Sequence, residues 1–327
     1  MKPVRVSLAC TLTDRTRPML DGRVRIEGCD VVPVTGEPED LFARALQKQE
    51  FDITELSLSS YLVVLARGDS PYVAVPAFPS RAFRHSAVYV RTDRGIERPE
   101  DLAGKTIGVP EFQQTAALWV RGILADRYGV APYHIRWRSG GLERSGGRER
   151  IAIEVRSEID LRAIDGDATL SGMLAEGRLD GLVSPRPPSC FQEGHPEVRR
   201  LWPDHREAER RFYRDTGLFP IMHVVAVRRE LSERHPWLAG SVFRAFSEAK
   251  RLAIWDLEQT NFLRVTLPWV DLDELRGLMG QDFWPYGFEA NRAELEAAIR
   301  WSFDEGLAAR RLDPSELFHP GTQGPTG

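Results

Sequence analysis

Cysteine is scarce in this chain of 327 residues, which contains only Cys10, Cys29 and Cys190. Three cysteines at wide spacing indicate neither a disulfide framework nor a zinc motif. The apolar run near the N-terminus, Val6–Leu12, is short and interrupted by a serine and a threonine, which is unlike a signal peptide. No stretch approaches the roughly 18 apolar residues of a membrane-spanning helix. The sequence therefore predicts a cytoplasmic protein with no membrane partner.

Net charge is also small, since 44 lysines and arginines face 48 aspartates and glutamates, giving -4. That balance provides neither a basic surface for nucleic acid nor a polybasic membrane anchor. The chain lacks a dinucleotide Gly-x-Gly-x-x-Gly fingerprint after a strand, a phosphate loop, a His-Glu-x-x-His motif and a Gly-x-Ser-x-Gly elbow. No local spacing indicates a metal, so we predict no cofactor, with a divalent ion left open.

Short apolar runs alternate with helical patterns along the chain, and the length suits two domains. The predicted strands are Val4–Cys10, Val31–Val34, Phe51–Leu56, Ala87–Arg91, Gly104–Pro110, Ile135–Trp137, Asp180–Ser184 and His223–Val227. The predicted helices are Pro38–Lys48, Gln114–Tyr128, Ala168–Glu176, Pro236–Glu258 and Arg292–Leu307. Such alternation predicts an α/β fold with parallel sheets and crossover helices.

The same pattern predicts two lobes with a ligand cleft between them. Residues 1–90 and 226–327 would form a discontinuous first lobe, and residues 91–225 an inserted second lobe. Ala87–Arg91 and His223–Val227 are the strands expected to connect the lobes.

The densest polar cluster is FPSRAFRHS, which contains Arg81, Arg84, His85 and Ser86. Arginine suits carboxylates because its planar fork donates two parallel hydrogen bonds. The proton of histidine is exchangeable near neutral pH. These residues are therefore candidates for substrate binding and proton transfer. The alternative is a solvated loop with a histidine capping the core.

Two further clusters follow predicted strands. GVPEFQQT places Glu111, Gln113 and Thr115 at a helix start, where backbone N–H groups can meet an anion. TELSLSSY places Glu55 and Ser57 directly after a buried strand, where open α/β sheets bind ligands. The alternatives are a helix-start acid in the first cluster and ordinary helix caps in the second.

A lone histidine, His223, begins a predicted strand in FPIMHVVAV. A histidine among apolar neighbours is often a satisfied core residue, but a place at the lobe junction makes it a candidate acid or base. The Arg138–Arg150 segment, with four glycines and four arginines, is predicted to be a loop. It either closes over an anion or carries solvated arginines.

Three stretches resemble 4,5-dihydroxyphthalate decarboxylases: FPSRAFRHSAVYVR, DLAGKTIGVPEFQQTAALWVRGILADRYGV and DFWPYGFEANRAELEAAIRWSFDEGLAARRL. The resemblance covers nearly the whole chain, from the first strand to Glu316–Phe318, and is weakest in the arginine-glycine loop and around Cys190–Arg211. It implies a two-lobed fold like that of type II periplasmic solute-binding proteins. It also implies a non-oxidative reaction that converts 4,5-dihydroxyphthalate to protocatechuate and carbon dioxide, and it favours a homo-oligomer.

On this resemblance we expect Arg81 and Arg84 to bind the substrate carboxylates and His85 to protonate the ring. Glu111 or Glu55 would accept the catechol proton, with His223 as an alternative acid or base. Ser86, Ser57, Gln113 and Thr115 complete the expected binding residues. The competing hypothesis is a non-catalytic binding protein that closes on an aromatic acid or another small anion, and a related hydroxylated aromatic acid is a further possible substrate.

Overall fold

The fold is built on two mixed β-sheets and their covering helices. The computed structural model describes residues 2–259 and 268–324. Within them the strands, numbered in chain order, are β1 Val4–Ala9, β2 Cys29–Val34, β3 Ile53–Ser57, β4 Tyr72–Arg81, β5 Val88–Arg91, β6 Thr106–Val109, β7 Arg136–Ser139, β8 Leu161–Ala163, β9 Gly181–Val183, β10 Val198–Arg200 and β11 Ile221–Arg228. The helices are α1 Arg17–Leu20, α2 Pro38–Lys48, α3 Leu58–Arg67, α4 Thr115–Tyr128, α5 Leu170–Ala175, α6 Ser189–Gln192, α7 His205–Thr216, α8 Arg229–Arg234, α9 Leu238–Glu258, α10 Pro268–Met279 and α11 Arg292–Asp304.

The first sheet has the strand order β2-β1-β3-β11-β4. β1 runs parallel to β2 and β3, whereas β11 is antiparallel to β3 and β4. The start of β11 therefore lies beside the carboxyl ends of β1 and β3. In open α/β sheets this edge is where ligands bind.

The second sheet has the order β10-β5-β9-β6-β7-β8. Its strands β9, β6, β7 and β8 are parallel neighbours, and β5 is antiparallel to β9 and β10. Each sheet thus combines parallel strands with antiparallel strands, and the predicted α/β class is confirmed.

Local sequence explains why α2 has the predicted bounds. Proline at its first position has a backbone angle already suited to a helix and lacks only an N–H that would be unpaired there. Leu41, Phe42 and Ala45 recur at three- and four-residue intervals and are buried. The helix ends where Gln49 adopts a left-handed conformation, with φ 50°. Its buried face places Phe42 beside the first sheet.

The chain passes between the sheets at residues 82–87 and again at 201–220. β5 belongs wholly to the second sheet and β11 wholly to the first, so neither strand connects the two. The expected boundary at 225/226 falls inside β11, because apolar patterning cannot tell which sheet a strand joins. The residue bounds of the two lobes stay a prediction, and Met1, 260–267 and 325–327 of the expected first lobe lie outside the described residues.

Helix α4 follows β6, a strand of the second sheet, yet it packs against the first sheet. The Trp119 indole donates a hydrogen bond to the backbone carbonyl of Ile221, at 3.0 Å, and is fully buried. The main core is continuous through both sheets. The start of α4 is consequently held against the carboxyl-end edge of the first sheet.

Candidate functional site

Glu55 and His223 form a hydrogen-bonded pair on one face of the first sheet. In the β3–β11 pairing His223 lies opposite Ser57 and Val225 lies opposite Glu55, so the two side chains are diagonal neighbours. His223 Nδ1 is 2.5 Å from Glu55 Oε1. The carboxylate is fully buried, whereas 17% of the histidine side chain is exposed. The carboxylate of the pair is therefore inaccessible to solvent, and part of the imidazole ring remains accessible.

Glu55 is held in its ionised form. Burial alone would raise its pKa, but the hydrogen bond and charge of His223 and the backbone N–H of Thr11, 2.8 Å from Oε2, hold that pKa below its usual value. An ionised carboxylate only accepts hydrogen bonds, so His223 Nδ1 carries the proton between them. Nε2 is then the nitrogen left for proton exchange, and no described residue hydrogen-bonds it.

The ring of Phe42 connects this pair to a second one. It meets the His223 ring edge-on at a centroid distance of 4.8 Å, and the Arg150 guanidinium lies 5.4 Å from its centroid. Arg150 in turn binds Glu111 through two parallel hydrogen bonds of 2.8 Å each. The two expected acid–base candidates, Glu111 and His223, are thus brought into one neighbourhood.

The expected binding residues Ser57, Gln113 and Thr115 also come together here, where the start of α3 meets the start of α4. The Ser57 and Thr115 hydroxyls are 2.8 Å apart, and the Thr115 hydroxyl accepts the Ser59 N–H at 3.0 Å. Gln113 accepts the Ser60 hydroxyl and donates to Glu111. All three are buried, so these side chains link the two sheets to each other.

Glu149 is a neighbour that the sequence did not single out. Its carboxyl accepts the backbone N–H groups of Phe112 and Gln113, at 2.5 and 3.3 Å. Burial, opposed by these hydrogen bonds and assisted by nearby Glu111, raises the pKa of Glu149 to about 7. The only sequence signal for Glu149 was its position at the end of the arginine-glycine loop, and that position does not distinguish it from other glutamates as a functional residue.

His85 lies in a different environment. Its ring contacts Trp202 and Phe212 at centroid distances of 4.9 and 5.4 Å, and none of its contacts with described residues joins it to Glu55 or His223. Burial, together with Arg127 and His205, lowers the pKa of His85 to about 4. The histidine is therefore neutral at neutral pH, and its expected role as proton donor stays a prediction.

Arg81 is engaged by backbone and side chains from the second half of the chain. Its guanidinium donates to the carbonyls of Phe219 and Pro285, at 2.7 and 2.9 Å, and to the Asn291 side chain. Glu294 lies 3.7 Å away, and burial lowers the pKa of Arg81 to about 10. This geometry favours a structural role over the expected binding of substrate.

Arg84 and Ser86 lie beside α7. Arg84 Nε is 3.1 Å from Met222 Sδ, and among described residues the guanidinium forms no ion pair. Burial, opposed by the charge of Glu209, lowers the pKa of Arg84 to about 10. The Ser86 N–H donates weakly to Glu209, at 3.4 Å. Arg84 therefore remains open to a carboxylate, whereas the backbone N–H of Ser86 is directed at Glu209.

A cavity of about 510 Å³ lies elsewhere, between α4 and α11, and is lined by residues that include Arg121 and Trp301. None of the residues that line this cavity is one of the candidate site residues described above.

Among residues 2–259 and 268–324, no group of three or more histidine, cysteine, aspartate or glutamate side chains is placed to hold a metal ion. No helix in this part of the chain is long and apolar enough to cross a membrane.

Solved structures of binding proteins share the fold. The periplasmic aliphatic sulphonate binding protein SsuA of Escherichia coli is 13% identical with a TM-score of 0.54, covering 98% of this chain and 99% of its own. The putative sulfonate-binding SsuA of Methylobacillus flagellatus is 14% identical with a TM-score of 0.58, covering 98% and 93%. At this identity the likeness concerns the fold alone, and it confirms the expected two-lobed type II arrangement.

No family model matches the sequence. The 4,5-dihydroxyphthalate decarboxylase of Comamonas testosteroni is 48% identical over 323 residues, which is 98% of each chain. The enzyme of the same name from Pseudomonas putida is 46% identical over 214 residues, covering 65% of this chain and 83% of its own. Because the first alignment extends along nearly the whole of both chains, this chain belongs to the 4,5-dihydroxyphthalate decarboxylase family.

Proposed function

We propose that this protein is a carboxy-lyase that converts 4,5-dihydroxyphthalate to protocatechuate and carbon dioxide. The observation that carries the proposal is the hydrogen-bonded Glu55–His223 pair at the carboxyl-end edge of the first sheet, in a chain of this family. The pair has the form of an acid–base catalyst, with a buried carboxylate on one ring nitrogen and the other nitrogen free for substrate.

The chemistry of the substrate explains why a proton-transfer group is needed. Direct loss of carbon dioxide would leave an unstable aryl carbanion. If the hydroxyl para to the departing carboxylate loses its proton, its electrons enter the ring, and the carbon that bears the carboxylate can accept a proton. The carbon–carbon bond then breaks, its electron pair restores aromaticity, carbon dioxide leaves, and the hydroxyl regains its proton.

In this proposal His223 Nε2 takes the hydroxyl proton and later returns it. The Glu55 carboxylate stabilises the imidazolium that forms in between, because it lies 2.5 Å from Nδ1. The ring-carbon proton comes ultimately from solvent, so turnover in D₂O must place one deuterium on the product ring. His85 remains the predicted group for delivering it. Glu111 remains a predicted alternative acceptor of the hydroxyl proton, and Arg84 a predicted carboxylate ligand.

The test follows carbon dioxide and protocatechuate together after the purified protein is mixed with 4,5-dihydroxyphthalate. Stoichiometric release of both is expected. Replacing His223 with Gln removes the proton acceptor and should lower kcat about 10²- to 10⁴-fold. Binding of the substrate without turnover by the wild-type protein would contradict the proposal and favour a solute-binding protein.

Glu55→Gln tests the partner of the histidine. A hydrogen bond to a charged group contributes about 1.5–3 kcal/mol, which corresponds to a fall in kcat of roughly 10- to 150-fold. Glu50→Gln is the matched control, because Glu50 lies just before the same strand but is exposed and paired with Arg44 on the surface. A Glu55→Gln enzyme with kcat within about twofold of the control would remove the pair from the mechanism.

The proposal includes no resident cofactor, because each step needs only proton transfer. Turnover that is lost with EDTA and restored by a divalent metal would overturn this part. We also propose a cytoplasmic location, supported by three cysteines that are all free thiols, and a homo-oligomer without nucleic-acid or membrane partners. Cell fractionation and light scattering of the purified protein test these two points.

A further inference from the structure

Arg150, at the end of the arginine-glycine loop, is buried, unlike the two arginines that precede it. Only 8% of Arg150 is exposed, whereas Arg144 and Arg148 are exposed to solvent. Its backbone carbonyl accepts a hydrogen bond from the Gln47 side chain on α2, at 2.7 Å. The segment between β7 and β8 is therefore held against α2 at this residue, and the Arg150 guanidinium lies in the interior.

The guanidinium is only partly used by the protein. Nε and Nη2 donate to the two oxygens of Glu111, which fixes the plane of the group. Nη1 is buried and has no hydrogen-bond partner among the described residues. A buried charged donor without a partner is costly, so its two N–H groups are available to an acceptor that the protein itself does not supply.

The position of this donor suits the substrate. Phe42 contacts both the Arg150 guanidinium and the His223 ring. The imidazole and the guanidinium lie 4.8 and 5.4 Å from the centre of the Phe42 ring. One dihydroxybenzene dicarboxylate is long enough to reach both groups. A substrate whose hydroxyl reaches His223 Nε2 can thus direct a carboxylate toward Arg150.

We propose that Arg150 binds, through Nη1, the carboxylate that the product retains, while Glu111 holds the guanidinium in place. This inference rests on the proposed function. The departing carboxylate must lose its charge as carbon dioxide forms, so a cation held on it would stabilise the ground state and slow the reaction. The retained carboxylate keeps its charge throughout, and anchoring it positions the ring without that penalty.

Binding of two small probes tests this assignment. Protocatechuate keeps the retained carboxylate, and catechol has none. Arg150→Gln should weaken protocatechuate binding by about 10- to 100-fold and change catechol binding by less than about twofold. Arg148→Gln is the matched control from the same loop and should change neither. Equal losses for both probes would show a purely structural role and overturn the inference, as would unchanged protocatechuate binding.

Loss of Arg150 leaves Glu111 without its positively charged partner, so two further variants separate binding from folding. Arg150→Gln combined with Glu111→Gln removes both charges, and Arg150→Lys keeps the positive charge. The double variant should show the same selective loss for protocatechuate, and the lysine variant should recover part of it. A double variant that binds protocatechuate like the wild type would overturn the inference.

The outcome is also distinguishable from failure of the proposed function. A wild-type protein that binds protocatechuate through Arg150 but releases no carbon dioxide would overturn the proposed function and leave this carboxylate site. A wild-type protein that decarboxylates normally, with an Arg150→Gln variant that loses both probes equally, would overturn only the inference.

Discussion

The replacement of Glu149 by glutamine should make the stability of this protein less dependent on pH. The Glu149 carboxyl is enclosed at the start of α4, where it accepts backbone N–H groups while Glu111 lies nearby. Burial is the main reason that its pKa is raised from 4.5 to about 7. A glutamine has nearly the same shape and accepts at least one of those hydrogen bonds, but it never has to carry a buried charge.

The direction and size of the effect follow from that pKa. Between 4.5 and about 7 the folded protein binds a proton that the unfolded chain has released, so stability present below pH 4.5 is lost as the pH rises through 7. At about 1.36 kcal/mol for each pKa unit, a rise from 4.5 to about 7 corresponds to about 3 kcal/mol. Glu149→Gln should therefore gain stability relative to the wild type at about pH 8, by up to that amount.

Denaturant unfolding at about pH 5 and about pH 8 measures the free energy of unfolding for both proteins. The difference between variant and wild type should grow with pH. Glu154→Gln serves as the control, because that carboxylate is exposed a few residues later in the chain. If the difference for Glu149→Gln were the same at both pH values, the assigned pKa and its origin in burial would be wrong.

Three further outcomes are expected. In Gly122→Ala the new Cβ would lie 2.2 Å from the Trp301 ring, so the free energy of unfolding measured with denaturant should fall by about 1–3 kcal/mol. Gly166→Ala is the control, because nothing lies within 4 Å of its new Cβ and its stability should change little. Equal stabilities of the two variants would contradict this packing. Arg81→Lys loses the planar fork that reaches two buried carbonyls and should cost about 2–4 kcal/mol in the same assay, and an unchanged stability would refute its structural role. The ring protons of His85 should show no NMR titration between about pH 8 and 6, because burial and Arg127 lower its pKa to about 4, and a midpoint near 6.5 would refute this.

The sequence predicted best those elements whose pattern is local. α2 has the predicted bounds, and α4 and α9 begin within two residues of them, because apolar residues at helical spacing and a proline at a helix start need no distant partner. α7 was not predicted. Its run HREAERRFYRDT is nearly all polar, and only Phe212 is buried, so it has almost no apolar face to detect.

β4 and Arg81 show a second limit. β4 was not among the predicted strands, and a solvated loop was one of two interpretations of the charged cluster FPSRAFRHS, yet the strand continues through Arg81. Burial of this arginine is possible because acceptors from residues 219, 285 and 291 surround it. Hydrogen-bond partners so far along the chain cannot be inferred from the local sequence. The buried end of β4 therefore has the same composition as a solvated loop.

The candidate site was predicted as separate residues and not as pairs. Glu55, Glu111 and His223 were each identified from their place at a strand or helix end. The pairing of Glu55 with His223 depends on a late strand, β11, that is inserted between β3 and β4. Arg150 had no distinguishing signal within a loop of four arginines, because what separates it from the others is its burial against α2.

The insertion of β11 also has a consequence for how the protein is made. Glu55 and His223 are 168 positions apart, and the first sheet cannot close until β11 has been synthesised. At roughly 5–20 residues per second, the ribosome needs about 8 to 34 s to cover that interval, during which the edges of β3 and β4 that later receive β11 stay unpaired. Strands β5 to β10 are all complete before that moment, so the second sheet can form on the ribosome while the first waits. Decarboxylase activity in a nascent chain would therefore appear only after the last strand of the first sheet emerges, and unpaired edges in the interval are where chaperones would be needed.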